Sequence, residues 1–399
     1  KKLRMLSGNL RYIKVHYVVK MKFASRLQRV KESATFKYSA LAKREDVINL
    51  TIGRTNFNTP NAIIEETKKA LDEGRIFYTP SKGIPELRNR ICEKLENENN
   101  ISDLDMDKII VSSGAKQIIF EAVMALIDRG DVVAIPNPSW VSYESIVDLA
   151  EGKSVWLPLK PENAFVPDDD FFSVLENSNP KLIFLNSPNN PTGSVYPEKI
   201  IRKIVDIAER KDLFVISDEI YEKIIYEEKH FSAGSIYEKT ITINGFSKEF
   251  SMTGWRLGYA ACPVREVIDK MNLIQTQSVS CATSFIQYGA VAAFSEDVKR
   301  DVDNMVQELR ERRDVLYEKL RKFCKTIEKP SGAFYMFPKI SDIDDMVYTD
   351  KLLENDVGVI PGSSFGSVGK GCVRISYGAS TVDELEKATE IMKSAIAFE

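Results

Sequence analysis

Lys248 is the residue around which chemistry can be built. It follows the apolar, β-branched run Thr240-Ile241-Thr242-Ile243, so it is expected where a strand runs out into a loop. Arg256 follows between Gly254 and Gly258, ahead of a second short strand expected over 257–262. An amine at a sheet edge among small neighbours can approach a flat molecule and attack its carbonyl carbon. It becomes a good nucleophile when desolvated or set beside another cation. A solvated loop lysine with a surface arginine would satisfy the same residues, because lysine is rarely buried.

Four other places offer partners for such an amine. Asp218 stands directly after the apolar strand 213–216. A carboxylate at that edge needs a partner, and a pyridinium nitrogen would serve; capping a following helix is the plainer use. Tyr221 falls on the same side if that segment is helical. Asn190 lies in Asn186-Ser187-Pro188-Asn189-Asn190-Pro191-Thr192-Gly193, a rigid polar loop fit to hold a hydrogen-bonding group, or an ordinary turn. Arg374 sits mid-strand in 372–376, where its planar fork calls for a carboxylate, either from a ligand or in a structural salt bridge. Ser112-Ser113-Gly114-Ala115-Lys116 joins a strand to a helix start. Free backbone N–H groups there suit an anion such as phosphate, although a plain turn would read the same. Trp140 could stack on a ring or be a core residue, Gly53 could let backbone approach a ligand or simply make a turn, and Tyr78 alone reads as packing.

The elements that must position these residues alternate. Strands are expected over 47–52, 108–111, 132–135, 154–157, 181–185, 213–216 and 240–243, with helices over 62–71, 117–127, 143–149, 169–175, 199–210 and 267–276. Repeated strand–helix units imply a mostly parallel sheet covered on both faces, with ligands outside the carboxyl ends of its strands. Most candidate residues fall there; Arg374 and Tyr78 do not. Residues 22–45 read as a helical arm broken near 33–35, and 298–323 as a long charged helix bridging to a second lobe.

Composition narrows the function. The 399 residues are 43% hydrophobic and 28% charged, with a net charge of −3, which gives no reason to expect nucleic acid or an anionic membrane as partner. Only His16 and His230 are present, so a histidine-based metal site has little support and none is expected. Five scattered cysteines without a CxxC pair fit a reducing, cytoplasmic setting. The first twenty residues carry six basic residues and no acidic one, and are expected to form an extension ahead of the domain sequence.

Gly245-Phe246-Ser247-Lys248, then Thr253-Gly254-Trp255-Arg256-Leu257-Gly258, resembles the lysine motif of class I aminotransferases, which bind pyridoxal 5′-phosphate (PLP). The Asn190-Pro191-Thr192-Gly193 loop, Gly332-Ala333-Phe334-Tyr335 and the stretch from Tyr78 to Arg88 match the family as well. The resemblance implies PLP fold type I: a mostly parallel seven-stranded sheet with helices on both faces, plus a smaller α+β domain. It divides the chain into an extension (1–20), an arm with part of the small domain (21–60), a large PLP-binding domain (61–295) and a small C-terminal domain (296–399).

The roles it implies are these. Lys248 bonds the cofactor and shuttles the proton at substrate Cα. Asp218 keeps the ring nitrogen protonated. Tyr221 and Asn190 hydrogen-bond the ring oxygen, and Trp140 stacks on the ring. The amides of Ala115 and Lys116 hold the phosphate with Arg256, helped by Tyr78 from a second subunit, so a homodimer with shared active sites is implied. Arg374 takes the substrate α-carboxylate with Asn190, Trp140 and Gly53. Gly245 stands where many relatives carry serine, and Arg54-Thr55 replaces a usual Glu-Pro. The run from Pro138 to Tyr143 resembles aspartate aminotransferases of the prokaryotic type. Aspartate and a 2-oxo acid are therefore the expected substrates, with an aromatic amino acid or prephenate, or a PLP-dependent lyase reaction, as alternatives.

Overall fold

The computed structural model describes residues 22–396; the basic stretch 1–20 lies outside the described residues. Seven strands form the main sheet: β2 (Ile109–Ser112), β3 (Val132–Asn137), β4 (Lys153–Pro158), β5 (Leu182–Asn186), β6 (Phe214–Asp218), β7 (Thr240–Gly245) and β8 (Gly258–Ala261), preceded in the chain by β1 (Ile48–Asn49). Their order is β2-β8-β7-β6-β5-β3-β4. Pairing is parallel except for β8, which runs antiparallel to both neighbours. The segment between β7 and β8 contains no helix, and without a crossover element consecutive strands pair antiparallel.

Alternation along each strand explains why both faces are covered. Ile109 and Val111 join one core with Leu87, Ile91 and Leu95 of the helix Pro85–Asn99. Ile110 between them points the other way, to Ile118, Ile119 and Val123 of the helix Ala115–Leu126. Likewise Ile183 and Val215 pack with Ile201, Ile204 and Val205 of the helix Glu198–Arg210, whereas Leu182, Phe184 and Ile216 join the opposite core. Strands buried on both sides read as unbroken apolar runs, which is why they were legible.

The second lobe holds β9 (Tyr335–Met336), β10 (Val357–Gly358), β11 (Ile360–Pro361) and β12 (Val373–Ser376). β12 is the centre of the antiparallel sheet β11-β12-β9, and β10 pairs in parallel with β1 from the N-terminal segment. The long helix runs over Glu296–Leu320. The expected helical arm is instead a short turn of helix, Ser25–Gln28, and a separate helix Ala34–Leu41. Ser33, expected at a break, is the N-cap of that second helix. The strand expected over 47–52 shrinks to the two residues of β1, and the segment after Asp218, open to either reading, is a turn and not a helix.

Candidate active site

Five parallel strands deliver their carboxyl ends to one place. Ala115 follows β2, Trp140 follows β3, Asn190 follows β5, Asp218 ends β6 and Lys248 follows β7. Lys248 is partly buried, and its Nζ donates to the Gly53 carbonyl across 2.6 Å. Burial pushes its ammonium down to about 8, with Arg374 and Arg256 adding like-charge repulsion and Asp218 opposing. An amine so placed carries a large neutral fraction near physiological pH.

Asp218 is buried. Desolvation lifts its carboxyl to about 6, against the Tyr143 hydroxyl, which donates to Oδ2 across 2.6 Å. Oδ1 receives only the Ile220 N–H, at 3.3 Å. Asp218 therefore caps no helix and keeps one oxygen open to a further donor. Sequence reasoning placed Tyr143 at a helix start and at the end of a family-like run, with no task for its hydroxyl. A tyrosine among apolar neighbours carries no signal that its hydroxyl ends on a carboxylate.

The turn after Asp218 is held by a buried polar group. Glu219 accepts from Ser217 and Ser232, both at 2.8 Å, and pairs with His230 at 2.7 Å. Glu222 takes Asn99 at 2.6 Å and an ion pair with Lys94. Glu219, Glu222 and His230 are ligand-type side chains close enough to share an ion, but each carboxylate oxygen already has a protein partner. Tyr221 leaves this turn with its hydroxyl 2.9 Å from that of Tyr335 on β9.

The helix Ala115–Leu126 begins with Gly114 at φ +92°, a conformation open to glycine. The amides of Ala115 and Lys116 lie in its first turn, where a helix offers no internal acceptor. A Cβ on Gly114 would come 2.6 Å from Nη2 of Arg256, and one on Gly258 would come 2.4 Å from the Ala115 nitrogen. The guanidinium thus lies directly against the helix start, and together they form an anion cradle. Arg256 itself has φ +60°, a strained setting for a non-glycine residue, and Nη1 donates to the Thr253 carbonyl at 2.9 Å. Lys116 is pushed down by burial and by Arg256, and its Nζ stands 4.8 Å from the centre of the Trp140 ring. At Gly245 a Cβ would meet the Gly258 Cα at 2.9 Å and the Leu257 carbonyl at 3.0 Å, so a serine would not fit without a shift.

Arg374 occupies the centre of β12 and is 1% exposed. Its Nη1 donates to Asn190 Oδ1 at 3.1 Å and its Nη2 to the Thr51 carbonyl at 2.6 Å, while Nε has no hydrogen-bond partner among the described residues. Tyr335 and Phe365 lie against the guanidinium, at 4.6 and 5.1 Å from ring centre to Cζ. Among the described residues no carboxylate forms an ion pair with it, so the structural salt bridge is absent. Thr51 and Phe365 were missed by sequence reasoning, and Tyr335 was noted only as part of a family-like string with no role; Thr51 contributes only its backbone. The fold brings nine of the expected residues into this region: Gly53, Ala115, Lys116, Trp140, Asn190, Asp218, Tyr221, Lys248 and Arg256. Arg374 joins them through Asn190 and Thr51. Tyr78 stands apart, 91% exposed.

The site thus lies at the mouth of an α/β sheet, where ligands of such folds bind. The family of class I and II aminotransferases matches residues 45–392, and the chain belongs to that family. It is 45% identical to a probable aspartate aminotransferase of Methanocaldococcus jannaschii, covering 93% of this chain and 98% of the relative. It is 39% identical to an aspartate/prephenate aminotransferase of Thermus thermophilus, over 92% and 96%. The solved structure of the Thermus thermophilus aspartate aminotransferase with maleate superposes with a TM-score of 0.90 at 37% identity, covering 94% of this chain and all of the other.

Proposed function

We propose that this enzyme is a PLP-dependent aminotransferase that moves the amino group of L-aspartate to a 2-oxo acid such as 2-oxoglutarate by a ping-pong mechanism. The observation that carries this reading is charge: Lys248, partly buried, and Arg374, fully buried, are cations that act on one another, and Asp218 is the acid that acts on Lys248. With Arg256 and Lys116 at the cradle, the site is net cationic and calls for anionic groups, a phosphate at one end and a carboxylate at the other. The residues fit PLP: a neutral amine for its aldehyde, an open Asp218 oxygen for its ring nitrogen, and a helix start with Arg256 for its phosphate.

When bound, PLP supplies an electron sink for the pair left at Cα as its proton departs. Asp218 holds the proton on the ring nitrogen. Lys248 removes and returns the proton at Cα, a task suited to a group poised near 8. Arg374 and Asn190 orient the α-carboxylate, Tyr221 hydrogen-bonds the ring oxygen, and Trp140 covers the ring. Gly53 lends its carbonyl to Lys248 and keeps space open beside it. Tyr78, exposed as it is, serves the phosphate of a second copy, so the working unit is a homodimer. The large domain is residues 61–295, which contain the whole seven-stranded sheet, and the small domain joins 21–60 to 296–399. Five free cysteines support a cytoplasmic setting.

Aspartate as donor rests on the names of the relatives. Steady-state kcat/KM for a panel of amino acids with 2-oxoglutarate tests it. Aspartate should lead, and a higher value for phenylalanine or tyrosine would move the reading to an aromatic aminotransferase.

A further inference from the structure

Tyr335 has no task in the reading above, yet it touches both halves of the site. It is 1% exposed on β9. Its hydroxyl lies 2.9 Å from that of Tyr221, the one hydrogen-bond partner it has among the described residues. The Arg374 guanidinium stands 4.6 Å from the centre of its ring. It also explains Gly53, where a Cβ would meet Tyr335 Oη at 2.7 Å and Lys248 Nζ at 3.9 Å.

We propose that Tyr335 is a positioning residue that aims the Tyr221 hydroxyl at the cofactor oxygen and couples that hydroxyl to the occupancy of Arg374. This rests on the reading that Tyr221 hydrogen-bonds the PLP ring oxygen. Each phenol has one proton, and burial raises both phenols, so both remain donors at working pH. If Tyr221 commits its proton to the cofactor, the short contact between the hydroxyls requires Tyr335 to donate to Tyr221. A hydroxyl that accepts a hydrogen bond gives a stronger one in turn. Tyr335 therefore strengthens what Tyr221 offers, and the ring oxygen is better held in its anionic form.

Arg374 enters through the ring of Tyr335. A cation over a phenol makes its O–H a better donor, and Arg374 does act to lower the Tyr335 phenol. A carboxylate seated on Arg374 cancels much of that charge and weakens the whole chain from Tyr335 through Tyr221. The proton affinity of the lysine-bound cofactor should then rise when a carboxylate binds, in part through Tyr335.

The test is the pH midpoint of the visible absorbance of the holoenzyme, measured with and without a non-reacting dicarboxylate such as maleate. Tyr335→Phe keeps the ring and its contact with Arg374 and removes one proton. The midpoint should rise by roughly half a pH unit, and its further rise on adding maleate should shrink. Tyr221→Phe should raise it more, and adding Tyr335→Phe to that variant should change nothing further. A Tyr335→Phe midpoint equal to that of the parent, with Tyr221→Phe shifted, would overturn the role of Tyr335 alone. A Tyr221→Phe midpoint that stays put would overturn the underlying reading of Tyr221 and this inference with it.

Discussion

The Tyr143 hydroxyl donates to Asp218 Oδ2 at 2.6 Å in a setting where both side chains are fully buried. The tyrosine is fixed from both sides, stacked on Phe184 at 4.4 Å and edge-on to Trp140 at 5.4 Å. Burial raises the phenol well above its ordinary value, so it remains a donor. It thus holds one carboxylate oxygen ionised and leaves the other for a ligand. Asp218 titrates at about 6, and protonation removes its pull on a ring nitrogen. PLP affinity of the apoprotein should therefore fall as pH drops through about 6. In Tyr143→Phe the carboxyl loses a donor and rises further, by about one pH unit, so the loss of affinity should begin nearer neutrality. Titrating PLP into both apoproteins across pH 5–8 checks this, and coincident profiles would leave Tyr143 with a packing role only.

Asp218 also carries a stability consequence. Its carboxyl is lifted from 3.8 to about 6 by burial, so the folded state binds this proton more tightly than the unfolded chain does. The penalty for burying the charge is full above about pH 6, and it fades as pH falls towards 4. Asp218→Asn should remove it and stabilise the apoprotein at pH 8 by up to about 3 kcal/mol, while cutting turnover by orders of magnitude. Melting of both apoproteins at pH 8 and pH 5 is the measurement. A variant less stable than the parent at both would contradict the assignment.

Lys248 reacts as the free amine. Its ammonium is pushed down to about 8, so capture of PLP by the apoprotein should speed up as pH rises through 8 and level off above it. Lys248→Ala should yield no pyridoxyl group fixed to the chain by borohydride. Fixation at a normal level would mean that another amine does this work.

Arg374 separates two uses of a buried guanidinium. Lysine cannot reproduce the planar fork. Arg374→Lys should lower kcat/KM for amino and oxo acids alike, by about 2–5 kcal/mol in transition-state terms. The apoprotein's melting temperature should move little by comparison, because no ion pair is broken and an ammonium can keep part of the hydrogen bonding to Asn190 and the Thr51 carbonyl. A drop of several degrees with near-normal kcat/KM in the folded fraction would assign the residue to structure.

Much of this site could be read in advance because strands buried on both faces announce themselves, and the residue after each stands at the sheet edge. Lys248, Asp218, Asn190 and Ala115 were placed that way. Tyr143 and Tyr335 were not, because a core tyrosine looks the same whether its hydroxyl meets a carboxylate or nothing. Whether 219–222 was helix or turn stayed open, because Glu219 and Glu222 carry no local sign that Lys94, Asn99 and His230 hold them from other segments. The direction of β8 depended on the absence of a crossover, and Arg54-Thr55 shows the same limit on a small scale: Thr55 meets Ser251 across 2.7 Å, a contact between distant segments.

The contact between Arg374 and the Thr51 carbonyl joins residues 323 positions apart. The residues grouped about the cradle and Asp218, from Gly114 to Arg256, belong to one stretch of the middle of the chain. During synthesis, that stretch leaves the ribosome whole well before residue 374 is made. The coenzyme residues are thus made before the receptor that grips a substrate, yet Tyr221 and Phe246 share one core with Phe334 and Tyr377, which come after them. Both halves of the site therefore wait on the last part of the chain to be made.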